Sequence, residues 1–578
     1  MHNLFIKPFL ADVRGEVYFP YTREKLCERP MFPTYVFDGG AAFFGFDKFG
    51  TISSDLLLGK VMDGSLFTYW ERDGEFDWCS IFRDFGPIDY TAEWEGHIWL
   101  ARLYILLIVA QKFCVTKDEK YAAAWTKILR AWYAANPYTR YEDCISDKVW
   151  QDMQVTWRAI NLVHSMYLLG ECRSFTEEDW QFLYDLVKLH AEHMYSECVI
   201  HAQDPAPDNH KLQIGTALIM FGVLFPEFFN TEAYIATASK IISDNMHGSI
   251  FEDGCNNEDS MSYSHFIARL YLEAELFLQY NGYPTIPGCA ESIQNQYAFL
   301  YHFSSPAGNT LQFGDSYVMN AMEDIDFINS FYPLTFERER ETRLFSASRM
   351  AVLRNEKFDV YVDAMDMTEW HQHYGRPNII VFADGQPIVI DSGSINYDRG
   401  GLRCHLNGPE GHNVICCDEI PLEDHLSKTG ASETLRFADY ERTESYQKLV
   451  ITNQVASRDG RFYDWTRTLL LYNDRLEIQD HVRASTMLHF VSRLHLPDAR
   501  TGYYAPGPLY QPLSADCRTV SLRMGSMMEI ITTDAPVDVE YAPCVDENNR
   551  MNYAQILLRK HFAKEFSETT VIRFDRIR

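Results

Sequence analysis

The chain has 578 residues, 46% of them apolar and 23% charged, and its 52 Lys and Arg stand against 81 Asp and Glu for a formal charge of −29. One core seldom grows to that length, so two or three domains are expected. The acidic balance argues against nucleic acid or an anionic membrane as partners of the whole molecule, but not against an anionic substrate where Arg, Lys and His gather locally.

The thirteen cysteines are scattered. They show no CxxC spacing, and Cys416–Cys417 is the only close pair. They read as free thiols in a reducing compartment. The opening MHNLFIKPFLADVRGEVYF lacks the apolar core of a secretory signal, and the most apolar run, LARLYILLIVA, is too short to span a bilayer. A cytoplasmic location is expected, or a periplasmic or secreted one if a leader has been removed.

To about residue 340 the pattern is helical. Apolar residues recur at helical spacing in EWEGHIWLARLYILLIVAQKF, DEKYAAAWTKILRAWYAA, VWQDMQVTWRAINLVHSMYLLG and TEEDWQFLYDLVKLHAEHMYSE, then in HKLQIGTALIMFGVLF and SYSHFIARLYLEAELFLQY. Connections such as ANPYTRYED and GECRSFTEED supply turn residues and acidic caps. Consecutive antiparallel helices predict an (α/α) layer or toroid. From about Thr342 the period falls to two: RMAVLRNEKFDVYVDAMD, NIIVFADGQPIVIDSG, RFYDWTRTLLLYNDRLEIQDHV and MEIITTDAPVDVEYAP alternate apolar and polar residues between ND, DG and DAP turns. The fold class expected is therefore α+β and multidomain, a toroid over 1–340 followed by an antiparallel β-sandwich over 341–578, with the FERERETR charge run at the seam.

Four stretches concentrate polar residues among apolar neighbours. In DPAPDNHKLQIG, Asn209 and His210 precede a helix, where the positive end of the dipole suits a carboxylate; Asp208 or Asn209 could equally serve only as its cap. FEDGCNNEDSMSYSHF places Glu258, Ser260, Tyr263 and His265 at another helix start. In TEWHQHYGRPNIIVFADGQPIVIDSG, His371 and His373 stand two apart, which in a strand puts both on one face. They read as metal ligands, catalytic groups or surface histidines. A hairpin at the DG turn pairs Asp391 with residues near 379, so bringing it to His373 requires a bend at YGRP, which Gly375 and Pro377 permit. RGGLRCHLNGPEGHNVICCDE adds His405 and His412. A His373, Asp391 and His412 set would suit zinc with an open fourth position.

Together these stretches resemble the heparinase II/III-like polysaccharide lyases. The resemblance rests on NH at 209–210, DGxxxExSxxY ending at Tyr263, GDS at 314–316, HxH at 371–373, IDSG at 390–393 and HN at 412–413. It implies a toroid joined to a sandwich and a lyase that cleaves uronate-containing glycans, a glycosaminoglycan or its oligosaccharides first, by β-elimination. An oligoalginate lyase of the same fold is an alternative, as is an (α/α)-toroid glycoside hydrolase using Asp253 and Glu258. By position the resemblance implies catalytic roles for Asn209, His210, Tyr263, His371 and Tyr397, substrate contacts by Arg158, Glu258, Trp370 and His405, and zinc on His373, Asp391 and His412. The chain departs from the family at Tyr374, where many relatives carry an acidic residue, and in the Gly-rich segment 398–411. The partners implied are an anionic uronate oligo- or polysaccharide and a second copy in a homodimer, with no nucleic acid and no membrane.

Overall fold

The computed structural model describes residues 101–140, most of 148–576, and a few positions before 101; the internal gaps are 151–152, 205, 229, 367–370, 395–400, 421–431, 498–509, 516–517, 525–526, 548 and 550. Over the described residues from 101 onward, nine α-helices come first: α1 (Tyr104–Thr116), α2 (Glu119–Ala135), α3 (Met153–Leu168), α4 (Glu177–His201), α5 (Asn209–Leu224), α6 (Thr231–Ser249), α7 (Met261–Tyr280), α8 (Cys289–His302) and α9 (Ala321–Asn329).

Their burial alternates. Almost every residue of α3, α5 and α7 is buried, whereas α4, α6 and α8 each keep an exposed stripe. A helix apolar on all sides must lie inside, and one with a single apolar stripe must lie outside. Successive helices therefore form an inner and an outer layer, as an (α/α) arrangement requires. Local capping sets the starts of these helices. Asp118 accepts from the Lys120 amide, Thr176 and Asp179 form a capping box, and Asp208 accepts from the His210 amide at 2.8 Å. Trp125, Trp132 and Trp150 are fully buried in the shared helical core. No helix among the described residues is long and apolar enough to cross a membrane. Nine cysteines are described, all as free thiols, and seven of them are buried.

The first sheet holds five antiparallel strands in chain order, β1 (Arg343–Phe345), β2 (Met350–Arg354), β3 (Phe358–Asp363), β4 (Asn378–Ala383) and β5 (Gln386–Val389). The short helix α10 (Gly401–Asn407) follows. The second sheet comprises β6 (Ile415–Cys417), β7 (Ser432–Arg442), β8 (Tyr446–Ala456), β9 (Phe462–Tyr472), β10 (Arg475–Pro497), β11 (Tyr510–Ala515), β12 (Thr519–Met524), β13 (Met527–Thr533), β14 (Asp538–Val545) and β15 (Met551–Arg576). Its main order is β11-β12-β13-β15-β10-β9-β8-β7, with β14 beside β15 and β6 beside β10.

The small sheet is a middle layer. Leu353, Val360, Val362, Ile379 and Val381 share one core with Leu449, Ile451, Leu469, Leu471 and Ile478 of the large sheet, which makes the two a sandwich. Residues of opposite parity, Val352, Tyr361 and Ile380, join the helical core instead. That is why β2 is buried along its whole length rather than alternately. Polar bonds fix the junction: Tyr361 donates to the Ser304 carbonyl at 2.6 Å, and the Ser348 amide donates to Asp253 at 2.9 Å. The functional motifs lie along this junction.

Candidate active site

Capping by Asp208 leaves Asn209 as the first residue of α5, with its amide turned onto Glu258. Asn209 Nδ2 donates to both Glu258 oxygens, at 2.9 and 3.0 Å. Burial pushes the Glu258 carboxyl up from its ordinary range, against the pull of His371 and the Asn209 amide. Ser260 caps α7 three residues before Tyr263, accepting from the Tyr263 amide, and it also donates to the Asp315 carbonyl at 2.9 Å. The Tyr263 ring stacks on the His371 imidazole, with centroids 3.9 Å apart and planes inclined by 25°. His371 Nε2 lies 3.8 Å from Glu258 Oε2. Asn209, Glu258, Tyr263 and His371 thus form one continuous cluster. His210 and His371 both keep partial exposure, so the cluster opens to solvent.

The HxH segment is not a strand, contrary to the parity argument: β4 begins only at Asn378, and His371 has a left-handed backbone with φ of 71°. The two imidazoles converge by another route. Asp315 accepts from His371 Nδ1 at 3.0 Å on one oxygen and from His373 Nε2 at 2.9 Å on the other. Ser394 donates to that second oxygen at 2.9 Å, and Arg403 pairs with it at 2.5 Å. Burial opposes ionisation, but the Arg403 charge and the imidazole donors outweigh it and hold the Asp315 carboxyl well below its usual range. The backbone makes the approach tight. The Asp315 amide donates to the His371 carbonyl at 2.8 Å, and a Cβ on Gly314 would fall 2.4 Å from the Asp259 carbonyl and 2.6 Å from that of His371.

The β4–β5 hairpin turns at Asp384–Gly385, both with positive φ, and its last ladder pair, Val381 with Val389, returns the chain so that Asp391 lies beside the start of β4, where the Asn378 side chain donates to it through Nδ2 at 2.6 Å. The same oxygen of Asp391 accepts from His412 Nδ1 at 2.8 Å, while its other oxygen accepts from the Gly393 amide at 2.9 Å. The bend at YGRP brings the HxH segment over His412. A Cβ on Gly375 would sit 2.6 Å from the His412 side chain, and the His373 and His412 rings are 5.2 Å apart.

Two sequence models, described as Heparinase II/III N-terminus and Heparinase II/III-like, C-terminal, match residues 51–338 and 337–541. The chain belongs to the heparinase II/III-like family. It is similar to a heparin-sulfate lyase of Bacteroides thetaiotaomicron, 24% identical over 35% of this chain and 27% of that protein, and to one of Bacteroides stercoris, 23% identical over 58% and 53%. The matched part thus spans about a quarter to a half of these relatives' length. A crystal structure of heparinase III shares the fold with a TM-score of 0.74 at 16% identity, covering 100% of this chain and 90% of that one. The architecture of this heparinase II/III-like chain is accordingly an (α/α) toroid joined to a β-sandwich.

Several expected residues lie elsewhere. Arg158 is wholly buried in the toroid: it donates to the carbonyls of Ala101 and Val149 and to His190, and its guanidinium packs on Trp132 and Trp150. It braces three segments of the core and offers nothing to a glycan. Asp253, suggested as a hydrolase carboxylate with Glu258, is engaged at both oxygens, by the Cys255 amide and by Ser348, so it fastens its turn to the sandwich. His405 is half-buried on α10, whose last residue accepts from the Tyr374 amide at 2.8 Å. Trp370 and Tyr397 fall outside the described residues. Asp315 and Arg403 were missed as site residues; the GDS motif was a signal for the first, and nothing local marks the second.

Zinc can be tested against the donors present. Among the described residues no three His, Cys, Asp or Glu side chains are gathered as a metal cluster. The protonation pattern nevertheless suits a metal. Donation of His373 Nε2–H to Asp315 and of His412 Nδ1–H to Asp391 leaves His373 Nδ1 and His412 Nε2 as lone pairs, and both are buried without a hydrogen-bond partner. Burial lowers His373 to about 4, which keeps it a neutral, ligating imidazole. A carboxylate behind a ligating histidine is a common supporting arrangement at metal centres. The two unpartnered imidazole nitrogens fit zinc, whereas Asp391, whose oxygens already accept from Asn378, His412 and the Gly393 amide, fits as the carboxylate behind His412 rather than as the expected third ligand.

Proposed function

We propose that this chain is a polysaccharide lyase that cleaves uronate-containing glycans, a glycosaminoglycan or its oligosaccharides first, by β-elimination to leave an unsaturated uronate end. The observation that carries the reading is the stack of Tyr263 on His371 beside the Asn209–Glu258 pair. The names of the heparin-sulfate lyases it resembles support the substrate class.

The C5 proton of a uronate is weakly acidic, so the enolate that grows on its carboxylate must be stabilised. Asn209 and His210 serve there. Burial raises the Glu258 carboxyl, and a uronate carboxylate placed beside it would raise it further. The C5–H pair of electrons moves into the enolate as the proton passes to a base. The C4–O4 bond then breaks, and the leaving oxygen takes a proton from an acid. Tyr263 supplies the acid, and the base as well when proton and leaving group share a face; His371 or His210 is the base when they do not.

Heparan sulfate, chondroitin sulfate, hyaluronan and alginate should be incubated with the protein and followed by ultraviolet absorbance. Absorbance from a new double bond on one of the first three is expected. A response to alginate alone would move the substrate class to oligoalginate, and new reducing ends without absorbance would point to a hydrolase. Asn209→Ala should lower kcat on the order of a hundredfold and change KM less, because the charge it meets grows in the transition state. A rise in KM alone would make Asn209 a binding residue only.

We further propose that His373 and His412 hold zinc through their unpartnered ring nitrogens, with Asp391 orienting His412 from behind. When bound, the ion would supply a cross-link between the segments of His373 and His412 rather than a nucleophile, since elimination needs no water. Purified protein should contain about one zinc per chain, and His373→Ala should lose both the metal and thermal stability. Metal-free wild type of unchanged stability would remove the site.

A further inference from the structure

We propose that Asp315 is a positioning residue that holds His371 as the tautomer protonated on Nδ1, with an unprotonated Nε2 facing Glu258 and the substrate. The proposal rests on the lyase reading above and adds a residue that never touches substrate. An ionised carboxylate only accepts hydrogen bonds, so both imidazoles must present N–H groups to Asp315. That leaves Nε2, on the far side of the His371 ring, as the nitrogen able to take a proton.

The carboxylate is itself fixed from several directions. Ser394 and Arg403 meet the oxygen that His373 uses, and Arg403 also donates to Ser394 at 2.6 Å. The backbone on either side is stitched to the N-terminus of α7, through Ser260 to the Asp315 carbonyl and the Met261 amide to Ser316 at 2.7 Å. The helix start that carries Tyr263 and the imbedded imidazole of His371 are therefore registered against the same short segment. Its acid-bearing and base-bearing sides cannot shift independently.

The consequence of an amide at this position follows from where the donors lie. Three of them, from His373, Ser394 and Arg403, converge on one oxygen. In Asp315→Asn the amide oxygen turns to those donors, and the NH2 faces His371 Nδ1. His371 must then accept through Nδ1 and carry its proton on Nε2, the wrong nitrogen for a base. A comparable carboxylate-to-amide change behind a catalytic histidine can cost about ten-thousandfold in turnover through tautomer alone.

Histidine ¹⁵N NMR of the wild type, with His371 assigned by its loss in His371→Ala, should show protonation at Nδ1 and a bare Nε2. Asp315→Asn should move the proton to Nε2 and lower kcat a hundredfold or more while KM stays within about threefold. In a His371→Ala background the same change should cost nothing further. A wild-type proton on Nε2, an Asn variant with normal kcat, or losses that multiply in the double variant would each overturn the proposal. The wild-type spectrum decides it even if Asp315→Asn does not fold. If no glycan is cleaved the lyase reading fails by itself, and the spectra still report on Asp315.

Discussion

Tyr263→Phe should fold and bind glycan like the parent yet lose turnover on the order of a hundredfold or more. The reasoning is geometric. The tyrosine ring is 93% removed from solvent, lies 3.9 Å from the His371 ring and meets Phe266 edge-on at 6.2 Å. Phenylalanine keeps every one of those ring contacts and loses only the hydroxyl. Packing and the orientation of His371 should therefore survive, which makes the variant a clean probe of proton transfer. Parallel measurement of kcat, KM and the melting temperature checks this. Near-normal turnover would take Tyr263 out of the mechanism and leave the histidines to move both protons. A fall in melting temperature with the same fall in activity would instead mean that the hydroxyl supports the local structure.

The fold was legible because its signals are local. A helix declares itself within two turns, and the change from helical to alternating spacing near residue 340 separates the toroid from the sandwich. The DG turn likewise marked the hairpin that returns Asp391 to the neighbourhood of residue 379. The site was legible only in pieces. HxH was read with the period of a strand, but Gly375, Pro377 and the positive φ of His371 make the segment a loop, so parity did not apply. Asp315 lies 56 and 58 residues from the histidines it joins, a separation that no periodicity can bridge. Arg158 failed for a related reason. The resemblance implied a substrate contact there, but the two tryptophans that enclose it come from segments on either side of α2's end. Composition could not distinguish a cation held by rings and carbonyls from one awaiting a carboxylate.

The same long-range bonding predicts the largest loss of stability. Arg376 is buried, and it donates through Nε to Asp363 at 2.9 Å, through Nη1 to the Met365 carbonyl at 3.0 Å and through Nη2 to Asp259. Asp363 ends β3 in the sandwich, while Asp259 immediately precedes the Ser260 cap of α7 in the toroid. One guanidinium therefore ties the two domains together beside Tyr263 and within five residues of His371. Burial pushes the Asp259 carboxyl upward, and the neighbouring Asp363 adds to that against the pull of Arg376. Removing the cation leaves both acids buried without their shared donor. Breaking a buried ion pair by deleting one partner typically costs about 3–5 kcal/mol, because the remaining group keeps its desolvation penalty. Arg376→Ala should thus lower unfolding free energy by about that amount in a denaturant titration. Activity should fall along with it, since the bond that registers α7 against the HxH loop is gone. A loss below about 1 kcal/mol would mean that water reaches this junction and hydrates the two carboxyls, in which case the toroid and the sandwich are held in register by the Gly314–Asp315 segment instead.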